Sequence, residues 1–259
     1  MKLLEGKTVL VTGGSGGIGN SICREAAKAG ANVALTYRSD QEGGERMVAE
    51  IEEMGLKAKC YHFSAGESES ADALFENAFT DFGTIDSVVN NAGMDGKRGN
   101  LWELEPKDWE AVISVNLIGA YQVAARALPH LVKNGAGTFL AISSVHERVP
   151  WGGHTAYTAT KAGLGMMIKS LALELADTGV RAVSLAPGAI KTEINKDVWD
   201  NPETLADLKD KIPMNRMGTT KEIAKTAVFL MSEYASYVTG TTLYADGGMS
   251  TYPSFAKGG

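Results

Sequence analysis

The chain has 259 residues, 44% of them hydrophobic, enough to build a sizeable core in one large α/β domain or two small ones. A formal net charge of -6 with no Lys/Arg cluster to offset it argues against a nucleic-acid partner and leaves a small diffusible ligand. Two cysteines without metal-ligand spacing, an N-terminal run too short for a signal peptide and apolar stretches short of a membrane span predict a cytoplasmic protein with reduced thiols, no metal and no membrane anchor.

The first predicted strand, KTVLVT (7–12), runs directly into TGGSGGIG (12–19) and a helix over 17–29. Five glycines in seven residues let the chain turn tightly and let its backbone approach a pyrophosphate at the positive end of the helix. The competing reading is a plain tight turn. Strand 32–37 and helix 41–54 follow, then strand 57–63 and helix 68–82, whose Ala71, Leu74, Phe75, Ala78, Phe79 and Phe82 fall on one side. Strand 85–90 leads into NNAG (90–93), a helix spans 106–131, and strand 137–143 ends in AISS. A helix over 155–177 carries Tyr157 and Lys161 one turn apart.

Strand 180–186 leads to PGAIKT (187–192), and helix 220–232 precedes the last strand, 241–245. Between them, 190–218 is polar, has two prolines and follows a strand end, which favours a substrate lid over a floppy loop. Continuous rather than alternating apolar strands suit a parallel sheet covered on both faces. The repeated βαβ order therefore predicts an α/β fold: one Rossmann-type, doubly wound domain of about seven parallel strands over residues 1–259.

T-G-x-x-x-G-x-G at 12–19, NNAG at 90–93 and Y-x-x-x-K at 157–161, in this order, resemble the short-chain dehydrogenase/reductase family over essentially the whole chain. The resemblance implies a nicotinamide dinucleotide and places Gly13, Ser15, Gly17, Ile18 and Gly19 at its phosphates. It puts Asn91, Ala92 and Gly93 behind the adenine ribose, and Pro187, Gly188, Ile190 and Thr192 around the nicotinamide half, with Tyr157 and Lys161 reaching it too. Where an acid would hold a ribose 2′-hydroxyl, Arg38 and Ser39 follow strand two, so NADP is preferred and NAD tolerated. Arg38 read otherwise is a solvated loop residue. The family usually has Asp near the end of strand three; this chain has Ser64, which can still bond the adenine edge.

Hydride transfer by such a cofactor must be coupled to a proton, which the protein supplies. A free tyrosine with pKa of about 10 is too weak a base at neutral pH. An ammonium about 5 Å away at an effective dielectric of about 20 contributes roughly 3 kcal/mol, about two pKa units. Lys161 is thus expected to make Tyr157 a usable base. The family pattern assigns Ser144, thirteen residues before Tyr157, to the substrate oxygen, with Ser143 the competing choice. It assigns Asn116 to a bend that holds a water leading from Lys161 to solvent; the other reading is an Asn bonded to its own helix backbone.

Within the family, SSVHERVPW (143–151), PGAIKTEIN (187–195) and the segment 235–255 resemble the bacterial glucose 1-dehydrogenases. That resemblance places Asp95, Ser144, His146, Tyr157 and Asn195 at a sugar. His62 and His130 are expected to be structural. The alternatives are a reductase of 3-oxoacyl thioesters or small ketones, which RMGTTKEIA (216–224) resembles equally well, and a dinucleotide-binding sensor without turnover. Helices 106–131 and 155–177 are apolar around much of their circumference, so a second face is expected to pack on another subunit. The family resemblance implies a homotetramer of dihedral symmetry, with Tyr252 and Phe255 of the tail docking near a neighbour's cleft.

Overall fold

The computed structural model describes residues 2–251; Tyr252 and Phe255, and the tail contact expected of them, lie outside the described residues. Strand β1 (Thr8–Val11) enters helix α1 (Gly17–Lys28), followed by β2 (Asn32–Tyr37), α2 (Gln41–Glu52), β3 (Ala58–His62), α3 (Ser68–Phe82) and β4 (Ser87–Asn90). The second half runs α4 (Pro106–Ile113), α5 (Gly119–Asn134), β5 (Gly137–Ile142), α6 (Thr155–Glu174) and β6 (Val180–Pro187). It ends with β7 (Ile190–Lys191), α7 (Lys196–Trp199), α8 (Pro202–Asp210), β8 (Gly218–Thr219), α9 (Thr220–Met231) and β9 (Thr242–Ala245).

Seven strands form one all-parallel sheet in the order β3-β2-β1-β4-β5-β6-β9, with β7 and β8 paired separately. Successive residues serve opposite faces, which is why the runs are continuously apolar. Val9 and Val11 pack with α1, α2 and α9 through Ile22, Ile51 and Val228, while Leu10 packs with α3, α5 and α6 through Phe75, Val123 and Ile168. Strand order reverses between β1 and β4, so the loops leaving those two strands diverge to opposite sides. A crevice opens there, outside the carboxyl ends.

Two segments differ from expectation. The helix expected over 106–131 is interrupted by a π-helical turn, Ser114–Ile118, before continuing to Asn134. Taken whole, Pro106–Asn134 is long and apolar enough to cross a membrane, contrary to the reading of separate short runs. Its buried side chains, Val123, Ala127 and Leu131 among them, pack on the sheet, which is the physical origin of that composition. The polar stretch 190–218 folds into two short helices, α7 and α8. Its ends are joined by the β7–β8 pair, and Asn201 caps α8 through the Glu203 and Thr204 amides.

Candidate active site

The glycine turn is shaped by residues that are distant in sequence. Gly13 (φ +68°) and Gly17 (φ +55°) adopt left-handed backbone that side chains resist, and a Cβ on Gly19 would lie 2.2 Å from the Gly13 carbonyl oxygen. Thr36 receives the Gly13 amide at its hydroxyl (2.9 Å) and the Gly14 amide at its carbonyl (2.8 Å). Buried Thr12 is the second anchor. Its hydroxyl accepts the amides of Asn91 and Ala92 at 2.9 Å each, and its carbonyl accepts the Asn91 side chain at 2.9 Å.

The result is an α1 N-terminus that begins at Gly16, with no side-chain cap and no acid in its first turn, facing an open crevice. Uncapped amides on a positive helix end, floored by glycines, suit a diphosphate. Arg38 and Ser39 line the same crevice just beyond β2. Arg38 is exposed and has no ion-pair partner among the described residues. Ser64 lines it as well; its backbone amide donates to Ser70 Oγ at 2.9 Å. The residues present therefore fit a nicotinamide dinucleotide.

The crevice extends as one cleft of about 1910 Å³ to the second half of the chain. There Pro187, Gly188, Ile190 and Thr192 line its wall. A Cβ on Gly188 would sit 2.7 Å from Asp246 Cα, so this turn accepts only glycine, and Thr192 Cγ2 comes within 4.0 Å of the Cβ position on Gly17, across the cleft. Trp199 clamps the flap above by donating from Nε1 to the Thr192 carbonyl at 2.8 Å, and the Lys191 amine lies 4.0 Å from its ring centroid.

On α6, Tyr157, Lys161, Leu164, Gly165 and Ile168 share the sheet-facing side, so Lys161 is only 6% exposed. Its amine donates to the Ile142 carbonyl at 3.0 Å and lies 5.6 Å from the Tyr157 ring centroid. Ser144 begins the 3₁₀ turn Val145–Glu147; its hydroxyl accepts the His146 amide at 3.2 Å, and it lines the cleft beside the Tyr157 phenol, whose pKa it lowers. Neighbouring Ser143 is buried, its hydroxyl without a protein partner among the described residues. Asn116 lies behind the cleft within the π turn. Its Oδ1 accepts the Met94 amide (2.8 Å), and its Nδ2 donates to the Met94 carbonyl (2.7 Å) and to Thr160 Oγ1 (3.1 Å). One side chain thus ties the loop after β4 to the catalytic helix.

The electrostatics correct the expected effect of Lys161. Burial pushes the Tyr157 phenol above the usual tyrosine range; the Ser144 hydrogen bond opposes this, and Asp95 adds to it. Lys161 is itself desolvated, its pKa pushed down to about 8. The simple Coulomb estimate left out the cost of taking both groups out of water. In the free chain at neutral pH, Tyr157 is therefore a proton donor.

At the substrate end, Asp95 and His146 line the cleft. His146 bonds the Val149 carbonyl through Nδ1 at 2.9 Å, a donor role that leaves Nε2 as an acceptor, and burial pushes its pKa down. Trp151 stacks on His146 (4.6 Å between centroids) and on His154 (3.8 Å), an arrangement of rings that the sequence reading missed. Asn195 also lines the cleft, but its amide is engaged internally. Oδ1 accepts from the Thr192 amide and hydroxyl at 2.9 and 3.0 Å, and Nδ2 donates to the Ile190 carbonyl at 2.8 Å. The anchoring roles of Thr12, Thr160 and Glu147 were missed as well, because each depends on partners distant in the chain.

The family model described as "Enoyl-(Acyl carrier protein) reductase" matches residues 13–250, from the glycine turn to just past the last strand. The chain belongs to the short-chain dehydrogenase/reductase family. It is an oxidoreductase of CH–OH groups that uses a nicotinamide cofactor. The chain is 43% identical over 257 residues to 3beta-hydroxysteroid dehydrogenase 1 of Eggerthella lenta, covering 98% of each. It is 42% identical over 254 residues to glucose 1-dehydrogenase 2 of Bacillus subtilis, again covering 98% of each. Among solved structures, a gluconate 5-dehydrogenase from Burkholderia cenocepacia in complex with NADP and tartrate superposes with a TM-score of 0.91. That structure is 31% identical and covers 97% of this chain and 98% of its own.

Proposed function

We propose that this short-chain dehydrogenase/reductase is an NADP-preferring sugar dehydrogenase that oxidises a C1 hydroxyl, with β-D-glucose going to glucono-1,5-lactone. The observation that carries the reading is the polar mouth around the Ser144–Tyr157 pair, where the acceptor Nε2 of His146 and the carboxylate of Asp95 face one cleft. A polyol offers several hydroxyl donors, and convergent acceptors select it over a plain alcohol. Likeness to a glucose 1-dehydrogenase and to a gluconate 5-dehydrogenase supports the same class. Asn195 contributes by holding Thr192, since its own amide is satisfied.

The nicotinamide, when bound, supplies the hydride chemistry. This chain's residues manage the proton: Ser144 fixes the reacting oxygen, Tyr157 gives or takes the proton at that oxygen, and Lys161 keeps the phenol near a titratable partner. Arg38 reads the 2′-phosphate, and NAD is tolerated because the chain's backbone, not its charge, holds the diphosphate. The segment 190–218 serves as a lid hinged at β7 and β8. The assembly is a cytoplasmic homotetramer built through α5 and α6, whose Tyr121, Met166 and Leu173 are 61%, 61% and 81% exposed.

A second reading rests on a different observation. Val149, Pro150, Trp151 and Leu208 line the same cleft, apolar side chains suited to a 3-hydroxysteroid. Reduction of a 3-oxoacyl thioester is the third possibility. A panel at 340 nm with NADP and NAD against β-D-glucose, a 3β-hydroxysteroid and an acetoacetyl thioester tests the proposal. Glucose with NADP is expected to give the highest kcat/KM, and a tenfold preference for either other substrate overturns it.

A further inference from the structure

Glu147 is a carboxylate with no place in the motifs, yet its surroundings are built for it. Its Oε1 accepts the Thr242 hydroxyl of β9 at 2.7 Å and its Oε2 accepts the Ser184 hydroxyl of β6 at 3.2 Å, bridging two adjacent strands. On the other side it meets α6 at a glycine: a Cβ on Gly165 would lie 2.2 Å from Glu147 Cδ and 2.3 Å from Oε1. The carboxylate therefore fills the space that any other residue at 165 would occupy. Gly165 follows Lys161 by four residues, which on a helix is the next position on the same face, about 5–6 Å away. The acid thus sits beside the helical turn that follows Lys161, in an interior where Lys161 is buried.

We propose that Glu147 is a positioning residue that supplies the counter-charge for the Lys161 ammonium and so sets the pH range over which the Tyr157–Lys161 pair holds its proton. This rests on the reading of Tyr157 and Lys161 as the acid–base pair. Glu147 is the one charge that raises the Lys161 pKa against its burial. The groups that interact with this carboxylate are Lys161 from α6, the neutral Ser184 from β6, and Thr242 and Tyr244 from β9; Arg148, next to it in its own turn, is a charge that also acts on Tyr244. Glu147 also ends the 3₁₀ turn that Ser144 begins, its amide donating to the Ser144 carbonyl at 2.9 Å, so the serine and the lysine share one support.

Removing a negative charge lowers the pKa of every neighbour, whichever member of the pair carries the proton. In Glu147→Gln, which keeps the shape and an acceptor for one hydroxyl while its amide nitrogen can donate to the other, the pair should release its proton about half to one pH unit lower. The acid limb of kcat/KM for oxidation and the alkaline limb for reduction should both move to lower pH. The probe is β-D-glucose with NADP+, or the 3β-hydroxysteroid if the panel selects it. A merely structural role would lower activity without moving the limbs, and limbs unmoved within 0.2 unit (about the precision of such a fit) overturn the proposal. If the glutamine variant fails to fold, Glu147→Asp decides: a smaller shift in the same direction supports it, and an unmoved limb overturns it. Should Tyr157→Phe retain wild-type turnover, the acid–base reading itself fails; if that variant is dead and the limbs of the Glu147 variants stay put, only the role of Glu147 fails.

Discussion

The Asn91 side chain donates to the Thr12 carbonyl at 2.9 Å while the Asn91 amide donates to the Thr12 hydroxyl at the same distance, locking the loop after β4 onto the glycine turn after β1. Two motifs about eighty residues apart are thereby one structure. Thr12→Val keeps the shape but leaves the partly buried amides of Asn91 and Ala92 without an acceptor. It should cost about 2–4 kcal/mol in urea unfolding and weaken NADP binding. Unchanged stability would mean that water replaces the hydroxyl.

Tyr157→Phe should lower kcat by about 10²–10⁴-fold and leave cofactor affinity nearly unchanged, because the phenol is placed for proton transfer and the diphosphate cradle lies at α1. Steady-state kinetics and fluorescence titration with NADPH check this. Retention of more than about a tenth of kcat contradicts the assignment.

Arg38→Ala should weaken NADP by roughly ten- to hundredfold and NAD little, the value of one charge-assisted hydrogen bond of about 1.5–3 kcal/mol. Equal losses for both cofactors would show that the guanidinium stacks on adenine and does not read the phosphate.

Lys161 carries a stability cost whose sign follows from its shift. Its pKa falls from 10.5 in the unfolded chain to about 8 in the fold, so between those values the unfolded state binds more protons and stability rises with pH. Below about pH 8 the buried ammonium is a net cost. Lys161→Met, which also leaves the Ile142 carbonyl unpaired, should therefore be more stable than wild type by about 1–3 kcal/mol at pH 7, an advantage that fades toward pH 10. Thermal melts across pH test it; a variant less stable at pH 7 would show that the amine's hydrogen bond outweighs its desolvation.

Leu173, 81% exposed on α6, should lie at the subunit contact. Leu173→Glu is expected to convert a tetramer to smaller species in light scattering without lowering the helical signal in circular dichroism. A monomeric wild type would remove this interface.

The sequence by itself determined the order of strands and helices, the glycine turn and the Tyr157–Lys161 spacing. Each is a local property: side-chain alternation, φ freedom at Gly13 and Gly17, and the helical repeat act between near neighbours. What tertiary structure decided involves partners far apart in the chain. Asn116 became a tie between Met94 and Thr160, Asn195 a brace for Thr192, and Glu147 the occupant of the space Gly165 leaves. The helices in 190–218 were hidden because their residues are polar and only partly buried, so no apolar period marks them. The protonation of Tyr157 was hidden for a related reason. Charge spacing is written along the helix, but desolvation is the summed effect of everything packed around it, and here it raises the pKa of the phenol.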